Sequence, residues 1–448
     1  MLPQLLLPTW ILPIVPERAV LIDHGLAIHQ GKILDLAPHS VLTQRYPQAA
    51  RVSLPGQVLL PGLVNLHAHA AMSLLRGAGD DLPLMRWLHE RIWPLEKQLV
   101  SDEFVYDGSV LAFAEMLLGG TTCCADMYFH PDAVARAAHD IGIRCRVGAT
   151  LFDTPDPHAI HTQLDQASRF HDAWHDHPHI GLMLAPHAPY TVSEPSLKLA
   201  QTLADQLDCP ISIHLQETRQ EVEDARQKHG MTPTQSLEQL GFWSERVIAA
   251  HGVHLNGEDI RTLSRRGVTL AHCPASNLKL ASGFAPIQAM LDAGLRVGIG
   301  TDGAASNNRL DMLSELRLAA LLAKGQSGNA EAFDAHQVLR AATLTGAEAL
   351  GWGDRIGSLE IGKSADLFAI QLDARHLAPV YDPASHVVYS AGREDVSAVW
   401  IEGQQVVNSR QLLKNHTPAT RDALTSKPAI WLQRAKKHLL GTNAYLPR

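Results

Sequence analysis

Two histidines, His67 and His69, follow a long apolar run and are separated by a single residue. Side chains at positions i and i+2 of a strand point to the same face, so these two imidazoles can bind one metal ion. The apolar run before them, residues 58–66, is typical of a strand buried in a parallel sheet. A His-x-His pair alone is a weak pattern, because two histidines in a turn produce it as well. The pair gains weight only from further ligands downstream.

Four more residues with suitable chemistry stand at the ends of apolar runs further along the chain. They are His214, Glu217, His251 and Asp302. Imidazole nitrogens with a carboxylate oxygen suit zinc or another borderline divalent ion. A metal with an open position lowers the pKa of a bound water from about 16 to about 7, and a nearby carboxylate can then move protons. Taken singly, such a histidine is more often a packed core residue and such an aspartate an N-cap. Their joint position favours a hydrolytic metal centre.

The elements that would position these residues are short apolar runs that alternate with helical patterns. The runs span residues 58–66, 121–128, 144–152, 179–187, 210–217, 247–254, 268–274 and 296–302. Eight such alternations predict an α/β fold, a (β/α)8 TIM-type barrel, in which the carboxyl ends of all strands meet at one mouth. Helical patterns at 193–207 and 283–293 lie between the runs. The longest connection, 70–120, holds a Trp- and Arg-rich segment, and long loops at this end of a barrel commonly cover a substrate pocket.

The two ends of the chain read as strands rather than as further barrel units. Neither residues 1–57 nor residues 355–410 contain enough strands for a stable sheet alone. We therefore predict a small β-sandwich domain built from both termini, around a metal-dependent barrel at 58–354. A helical tail at 411–448 follows, with an amphipathic helix at 421–440.

The composition excludes several classes of protein. The chain has 448 residues, a net charge of −8 and five cysteines. A nucleic-acid surface needs a clustered basic face, so no nucleic-acid partner is expected. No apolar run is long enough for a membrane span, and the N-terminus lacks the features of a signal peptide. An odd number of cysteines without a C-x-x-C pair favours a reducing, cytoplasmic location without disulfides.

The chain resembles the amidohydrolase superfamily, and within its chlorohydrolase/deaminase branch the 5-methylthioadenosine/S-adenosylhomocysteine deaminases. The split β-domain and the motifs at 61–69, 214–217, 270–277 and 300–307 carry this resemblance over nearly the whole chain. It implies that His67, His69, His214 and Asp302 bind one divalent metal, Zn2+ with Fe2+ or Mn2+ as alternatives. It also implies that Glu217 shuttles protons, His251 orients the attacking hydroxide and Asp302 takes part in catalysis. Binuclear members use a carboxylated lysine on strand four, and the run at 179–187 has none.

The same resemblance implies substrate-binding roles for four residues. Trp87 would stack on a purine, Glu96 would accept hydrogen bonds from ribose hydroxyls, and His187 would reach a ring nitrogen, while Glu217 also contacts the substrate. Without the resemblance, the tryptophan reads as a core residue, Glu96 as a surface residue and His187 as a loop residue. No arginine for a charged group on the ribose 5′ carbon can be identified, because Arg144 and Arg146 start strand three, at the opposite end of the barrel.

These expectations combine into a ranked set of functions. The first is hydrolytic deamination of 5′-methylthioadenosine and/or S-adenosylhomocysteine, or of adenosine, to the inosine analogue and ammonia. The alternative is a guanine deaminase or an s-triazine chlorohydrolase/aminohydrolase, for which a ribose-binding Glu96 has no use. A non-catalytic metal-binding scaffold would not need Glu217. The expected partner is a small-molecule nucleoside, and the expected assembly is a homo-oligomer, either a dimer or a tetramer.

Overall fold

The computed structural model describes residues 2–413 and 417–440. The strands of the N-terminal part are β1 Gln4–Ile11, β2 Leu21–Ile22, β3 His24–His29, β4 Lys32–Pro38 and β5 Ala50–Pro61. The middle part holds β6 Leu63–Ala68, β7 Thr121–Tyr128, β8 Arg144–Leu151, β9 Ile180–Pro186, β10 Ile211–Leu215, β11 Val247–His251, β12 Thr269–His272 and β13 Arg296–Ile299. The C-terminal part adds β14 Leu367–Gln371, β15 Val396–Ile401, β16 Gln404–Asn408 and β17 Gln411–Leu412.

Strands β6 to β13 form the predicted barrel. They pair in parallel in chain order, which requires a crossover between each strand and the next. The last strand returns to the first, since the amide of Asp302 donates a hydrogen bond to the carbonyl oxygen of His67 at 2.9 Å. Every residue of β7 and of β9 is buried, as expected for strands covered by helices outside and side chains inside. The structure confirms the (β/α)8 barrel.

The helices that follow the barrel strands complete the alternation. Those between β6 and β13 span Ala70–Leu75 (3₁₀), Leu84–Trp87, Leu88–Ile92 (π), Trp93–Leu99, Asp102–Leu118, Pro131–Ile141, Ala159–Trp174, Glu194–Leu207, Arg219–His229, Pro233–Leu240, Gly257–Arg265, Pro274–Lys279 and Ile287–Asp292. After β13 come Met312–Ser327, Ala335–Arg340, Ala341–Thr345 (π) and Gly346–Ala349. Outside the barrel lie His39–Arg45, Pro383–Tyr389, Arg393–Asp395 (3₁₀), Pro418–Thr425 and Lys427–Leu440. Among the described residues, no helix is long and apolar enough to cross a membrane.

Strands from both ends of the chain build the second, smaller unit. They join one nine-stranded sheet, in which β5 of the N-terminal part pairs antiparallel with β14 of the C-terminal part. Leu6 and Leu59 share an apolar core with Leu367 and Trp400, so each end of the chain covers apolar surface of the other. This arrangement confirms the prediction of a β-domain assembled from both termini.

The apolar run 58–66 is two strands, and its prediction as a single strand was wrong. The chain leaves the small sheet at Pro61 and enters the barrel at Leu63. Gly62 stands at the crossing because a Cβ there would lie 1.9 Å from the Thr122 hydroxyl oxygen. Residues 58–61, which the predicted division gives to the barrel, therefore lie in the small sheet. Likewise β17, at the start of the predicted tail, pairs with β16.

Two predicted helices also differ in their bounds. The pattern at 283–293 becomes helical only at Ile287, because Pro286 stands just before it and Gly283 has a φ of 129°. The tail pattern at 421–440 is two helices that meet at Ser426 rather than one. The second helix docks on the barrel through the indole nitrogen of Trp431, which donates to Asp107 at 2.8 Å. Residues 441–448 of the predicted tail lie outside the described residues.

Candidate metal centre and active site

Histidine side chains from separate strands converge at the carboxyl end of the barrel. His67 lies on β6 and His69 directly follows it, while His214 lies on β10. The ring centroids of His67 and His214 are 4.8 Å apart, as are those of His67 and His69. Asp302, just beyond β13, completes the group: its Oδ1 lies 3.2 Å from His69 Nε2 and 3.7 Å from His67 Nε2. The side chains expected to share one metal are thus neighbours.

Hydrogen bonds to backbone carbonyls fix the orientation of two of these imidazoles. Backbone carbonyls accept the Nδ1–H groups of two rings, that of Met127 from His69 at 2.5 Å and that of His187 from His214 at 2.7 Å. In the neutral form of each ring, Nε2 is therefore unprotonated and can bind a metal. Burial opposes a positive charge on His69, but the hydrogen bond to Asp302 raises the pKa of His69 to about 9, so a metal would displace a proton from that ring. Burial lowers the pKa of His67 well below its ordinary value, and His67 Nε2 has no hydrogen-bond partner. A buried, unsatisfied nitrogen among three neighbouring ligand atoms fits a divalent cation.

Asp302 is held in place by hydroxyl donors on its far side. Its Oδ2 accepts hydrogen bonds from Ser276 Oγ at 2.6 Å and from Ser306 Oγ at 2.8 Å. The backbone of Asp302 has a φ of 61°, a left-handed conformation that is strained for an aspartate outside a turn. The donors and the backbone together direct Oδ1 toward the two histidines.

Glu217 faces the same space without touching the candidate ligands. Its Oε2 lies 3.8 Å from His251 Nε2, and its Oε1 accepts a 3.4 Å hydrogen bond from Ser282 Oγ. Burial raises the pKa of Glu217, although the nearby His251 opposes this shift. A buried carboxyl with a raised pKa can hold a proton and release it during a reaction.

The main chain around Glu217 is clamped by a half-buried carboxylate, that of Glu221. Glu221 accepts hydrogen bonds from the backbone amides of Gln216 and Glu217, both at 2.9 Å. Gln216 has a φ of 47°, so the chain turns sharply just before Glu217. This clamp fixes the direction in which the Glu217 side chain leaves the backbone.

His251 is oriented by an amide. Its Nδ1–H donates to Asn277 Oδ1 at 2.8 Å, which directs Nε2 toward Glu217. The backbone of His251 is left-handed, with a φ of 73°. The ring is therefore fixed where it can hold a water between the histidines and Glu217.

An open cleft lies over this cluster, and its empty space, including the solvent at its mouth, amounts to about 690 Å³. With the exception of His67, which is buried behind the others, every residue predicted for the site lines the cleft. These are His69, Trp87, Glu96, His187, His214, Glu217, His251 and Asp302.

Trp87 and Glu96 face the cleft from the connection that follows β6. Residues nine positions apart lie on opposite sides of a regular α-helix. The π-helical turn Leu88–Ile92 between them changes the angular spacing, and both side chains point to one cavity. Trp87 is buried, and the carboxylate of Glu96 accepts a 2.6 Å hydrogen bond from the Tyr128 hydroxyl.

His187 lies at the end of β9, between the metal-facing cluster and the outer part of the cleft. Its Nδ1 lies 2.9 Å from the Thr191 hydroxyl, and its ring stacks on Phe152 with centroids 4.6 Å apart. Burial lowers the pKa of His187 to about 3, so the ring is neutral at physiological pH. A neutral imidazole in this place can form a hydrogen bond with a heterocycle nitrogen.

Comparison with known sequences identifies the family. The profile of the amidohydrolase family matches residues 58–406. The chain belongs to the amidohydrolase family. It is 43% identical to the 5-methylthioadenosine/S-adenosylhomocysteine deaminase of Teredinibacter turnerae, over 95% of this chain and 96% of the relative. It is 40% identical to the protein of the same name from Pyrococcus furiosus, over 88% and 91%.

Two solved structures show the same fold. An adenosine deaminase from Xanthomonas campestris with bound zinc superposes with a TM-score of 0.94 at 44% identity, covering 97% of this chain and 99% of that one. An atrazine chlorohydrolase from Arthrobacter aurescens complexed with zinc superposes with a TM-score of 0.86 at 26% identity, over 96% and 99%. The histidine-rich cluster of this amidohydrolase thus occurs on a fold that holds zinc in its neighbours.

Several residues of this amidohydrolase site were missed by sequence reasoning. Ser276, Asn277 and Ser306 lie inside the motifs at 270–277 and 300–307, which carried the resemblance but received no individual roles. Their position directly after strand ends was an available signal. Glu221 had none, since it reads as one of several charged residues on a helix.

The two arginines at the start of β8 lie at the closed end of the barrel, as the sequence predicts. Arg144 is buried in a salt bridge with Asp366 of the small domain. The guanidinium of Arg146 stacks over the Trp352 ring, 4.3 Å from its centroid. Neither side chain lines the cleft.

Proposed function

We propose that this amidohydrolase removes the amino group of adenosine-type nucleosides by hydrolysis, with 5′-methylthioadenosine, S-adenosylhomocysteine and adenosine as the candidate substrates. Water adds to the purine carbon that carries the amine, and ammonia leaves to give the inosine analogue. The observation that carries the proposal is the position of Glu96. A half-buried carboxylate held by Tyr128 faces the same cleft as the histidine cluster, where it can accept hydrogen bonds from a ribose.

His67, His69, His214 and Asp302 would hold one divalent metal, most simply zinc. Such a metal supplies a water of strongly lowered pKa, near 7 rather than about 16. The donor set fits this ion by its chemistry, because imidazole nitrogens and a carboxylate oxygen are the ligands that zinc takes. Ligand atoms of His67, His69 and Asp302 lie within 4.8 Å of one another, and His67 also belongs to a second such group with His214. No lysine lies on β9 to bridge a second metal.

The proton steps can be assigned to three side chains. Glu217 carries a proton from the attacking water to the ring nitrogen beside the amino-bearing carbon, since its raised pKa allows it to hold that proton. His251 orients the water through Nε2, which its hydrogen bond to Asn277 directs into the cleft. Asp302 accepts the second proton and passes it to the leaving amine. Protonating the ring makes its carbon more electrophilic.

Substrate contacts follow from the cleft walls. Trp87 offers the face of a large aromatic ring to the purine, and the neutral His187 offers a hydrogen bond to a ring nitrogen. Glu96 would accept from the ribose 2′ and 3′ hydroxyls while keeping its bond to Tyr128.

The test is ammonia release by purified, zinc-loaded protein from adenosine, 5′-methylthioadenosine, S-adenosylhomocysteine, guanine and atrazine. We expect turnover of at least one adenosine-type nucleoside and none of guanine or atrazine. Zinc-loaded protein that releases no ammonia from any nucleoside, or that prefers guanine or atrazine, would overturn the proposal. The triazine alternative shares the fold at 26% identity, but a carboxylate for ribose has no role with a bare heterocycle.

Two further parts of the proposal concern the state of the protein in the cell. We expect a cytoplasmic enzyme, because all five cysteines are buried free thiols. We also expect a homo-oligomer, a dimer or a tetramer, which light scattering of the purified protein measures directly.

A further inference from the structure

An aromatic wall lines the outer half of the cleft. Phe129 and Phe152 stack with ring centroids 6.0 Å apart, and Tyr128 contacts Phe129 with centroids at 5.3 Å. Phe129 is 37% exposed although it lines a cavity. Tyr128 is buried and Phe152 is half-buried, so Phe129 is the ring of the wall that an apolar ligand group would cover most.

The position of Glu96 relates this wall to a bound nucleoside. Its carboxylate bonds to the Tyr128 hydroxyl, and the Tyr128 ring touches Phe129. If Glu96 binds the 2′ and 3′ hydroxyls, the 5′ carbon lies one sugar ring away. The wall is then an apolar surface within reach of the group that the 5′ carbon carries.

The charged residues that line the cleft should affect differently the two substrates after which the relatives are named. Methylthioadenosine carries a neutral methylthio group on its 5′ carbon, whereas S-adenosylhomocysteine carries a carboxylate and an ammonium group there. Among the described residues, no lysine or arginine lines the cleft, while Glu96, Glu217 and Asp302 do. A carboxylate bound against the wall would lose water without gaining a cationic partner.

Cationic side chains line two neighbouring cavities. Arg86 and Arg219 line one that borders the cleft at Leu84. Lys228 lines another, which also meets the cleft there. Glu221 and Asp224 line it as well, so Lys228 does not create a positive surface there. Its contribution can be tested separately.

We propose that Phe129 and Phe152 form a subsite for an uncharged thioether on the ribose 5′ carbon, and that this subsite selects methylthioadenosine against S-adenosylhomocysteine. The inference rests on the proposed function, because it assumes a nucleoside held by Glu96. A thioether sulfur packs favourably against aromatic rings, and its methyl group is removed from water. A homocysteine chain offers the same sulfur but adds a carboxylate, for which the described lining of the cleft has no cationic partner.

The experiment compares four nucleosides: methylthioadenosine, S-adenosylhomocysteine, 5′-butylthioadenosine and adenosine. The butylthio compound has the chain length of homocysteine without its charges. We expect kcat/KM for methylthioadenosine and the butylthio compound to agree within about tenfold, as for changes in apolar bulk. For S-adenosylhomocysteine it should be lower by about 10–100-fold, as when a buried polar group stays unsatisfied. Equal rates for all three thioethers would overturn the proposal. Low turnover of both S-adenosylhomocysteine and 5′-butylthioadenosine would also overturn it, because the length of the 5′ group, and not its charge, would then determine selectivity.

Variants of the wall provide a second arm. Phe152→Ala should lower kcat/KM for methylthioadenosine more than for adenosine, which lacks the thioether. Phe152→Arg should raise the ratio of S-adenosylhomocysteine to methylthioadenosine turnover. Tyr381→Ala is the control, because Tyr381 is 91% exposed and lies outside the cleft. Zinc content and circular dichroism of each variant establish that it is folded and loaded.

The outcomes separate this inference from the proposed function. An enzyme that deaminates all the nucleosides without regard to the 5′ group keeps the proposed function and loses the subsite. An enzyme that deaminates none of them loses both. If S-adenosylhomocysteine is a good substrate and Lys228→Ala removes that activity alone, the 5′ chain enters the neighbouring cavity and the aromatic subsite is wrong.

Discussion

The inner and outer halves of the cleft are built on different principles. In the inner half, polar side chains project from strand ends, and each is fixed by a backbone carbonyl, a hydroxyl or an amide, as His214, Asp302 and His251 show. In the outer half, aromatic rings meet mainly through their faces and edges, as Phe129 and Phe152 do. The inner half tolerates little movement because its chemistry depends on directed lone pairs. The outer half needs only shape and apolarity, so it can change substrate preference without disturbing the reaction.

The largest expected effect comes from removing an inner ligand. His214→Ala should reduce bound zinc from about one per chain to near zero and should abolish ammonia release, because catalytic metal sites rely on three or four protein ligands. Elemental analysis and activity are measured on the same preparation. The control is His229→Ala, at the end of a helix outside the cleft. A fully loaded His214→Ala protein would remove this residue from the metal site.

The clamp on Glu217 should have the next largest effect. Each carboxylate oxygen of Glu221 accepts one backbone amide, and Glu221→Gln replaces one of these oxygens with an NH2 group. The direction of the Glu217 side chain is then no longer fixed. We expect kcat to fall by roughly 10–100-fold, as for supporting residues of metal sites, with KM and zinc content unchanged. Glu223→Gln, on the exposed face of the same helix, is the matched control. A loss of zinc or an equal rise in KM would mean that Glu221 supports the fold in general.

The boundary between the halves is tested at Glu96. Glu96→Ala should lower kcat/KM for adenosine-type substrates by about tenfold or more, through lost hydrogen bonds to the ribose. Any residual activity on free adenine, which has no ribose, should change little. An equal loss on both compounds would show that Glu96 holds the connection after β6 in place. An unchanged rate on both would favour the heterocycle hydrolase.

The smallest effect concerns a buried carboxyl beneath the inner half. Burial raises the pKa of Glu315 to about 8, although its hydrogen bonds to Ala275 N and Asn307 Nδ2 oppose the shift. Between about pH 4.5 and pH 8, the folded state therefore holds a proton that the unfolded state releases. The contribution of Glu315 to the free energy of unfolding is lost as the pH rises through this range. Between pH 5.5 and 8.5, the Tm of the wild type should fall by a few degrees more than that of Glu315→Gln. Parallel Tm curves would contradict this assignment.

The sequence was informative where spacing and strand period determine geometry. The barrel strands, the split β-domain and the convergence of the candidate ligands at one end of the barrel all follow from periodicity and from residues at run ends. The break at Gly62 was not visible, because an unbroken apolar run can belong to two sheets when both strands are buried. The π-turn at Leu88–Ile92 was not visible either, although it brings Trp87 and Glu96 to one face. The wall formed by Phe129 and Phe152 depends on contacts between the ends of two strands, which no local pattern encodes.

The most direct test of Glu217 as the proton carrier is a single comparison, Glu217→Gln against the wild type. The substitution keeps the size of the side chain and removes the group that titrates. With methylthioadenosine as substrate, we expect equal zinc content in both proteins and a fall in kcat of about 10²–10⁴-fold, the usual contribution of a general acid/base. A zinc-loaded Glu217→Gln protein that retains activity within a few-fold of the wild type would contradict the account, because the proton carrier would then lie elsewhere.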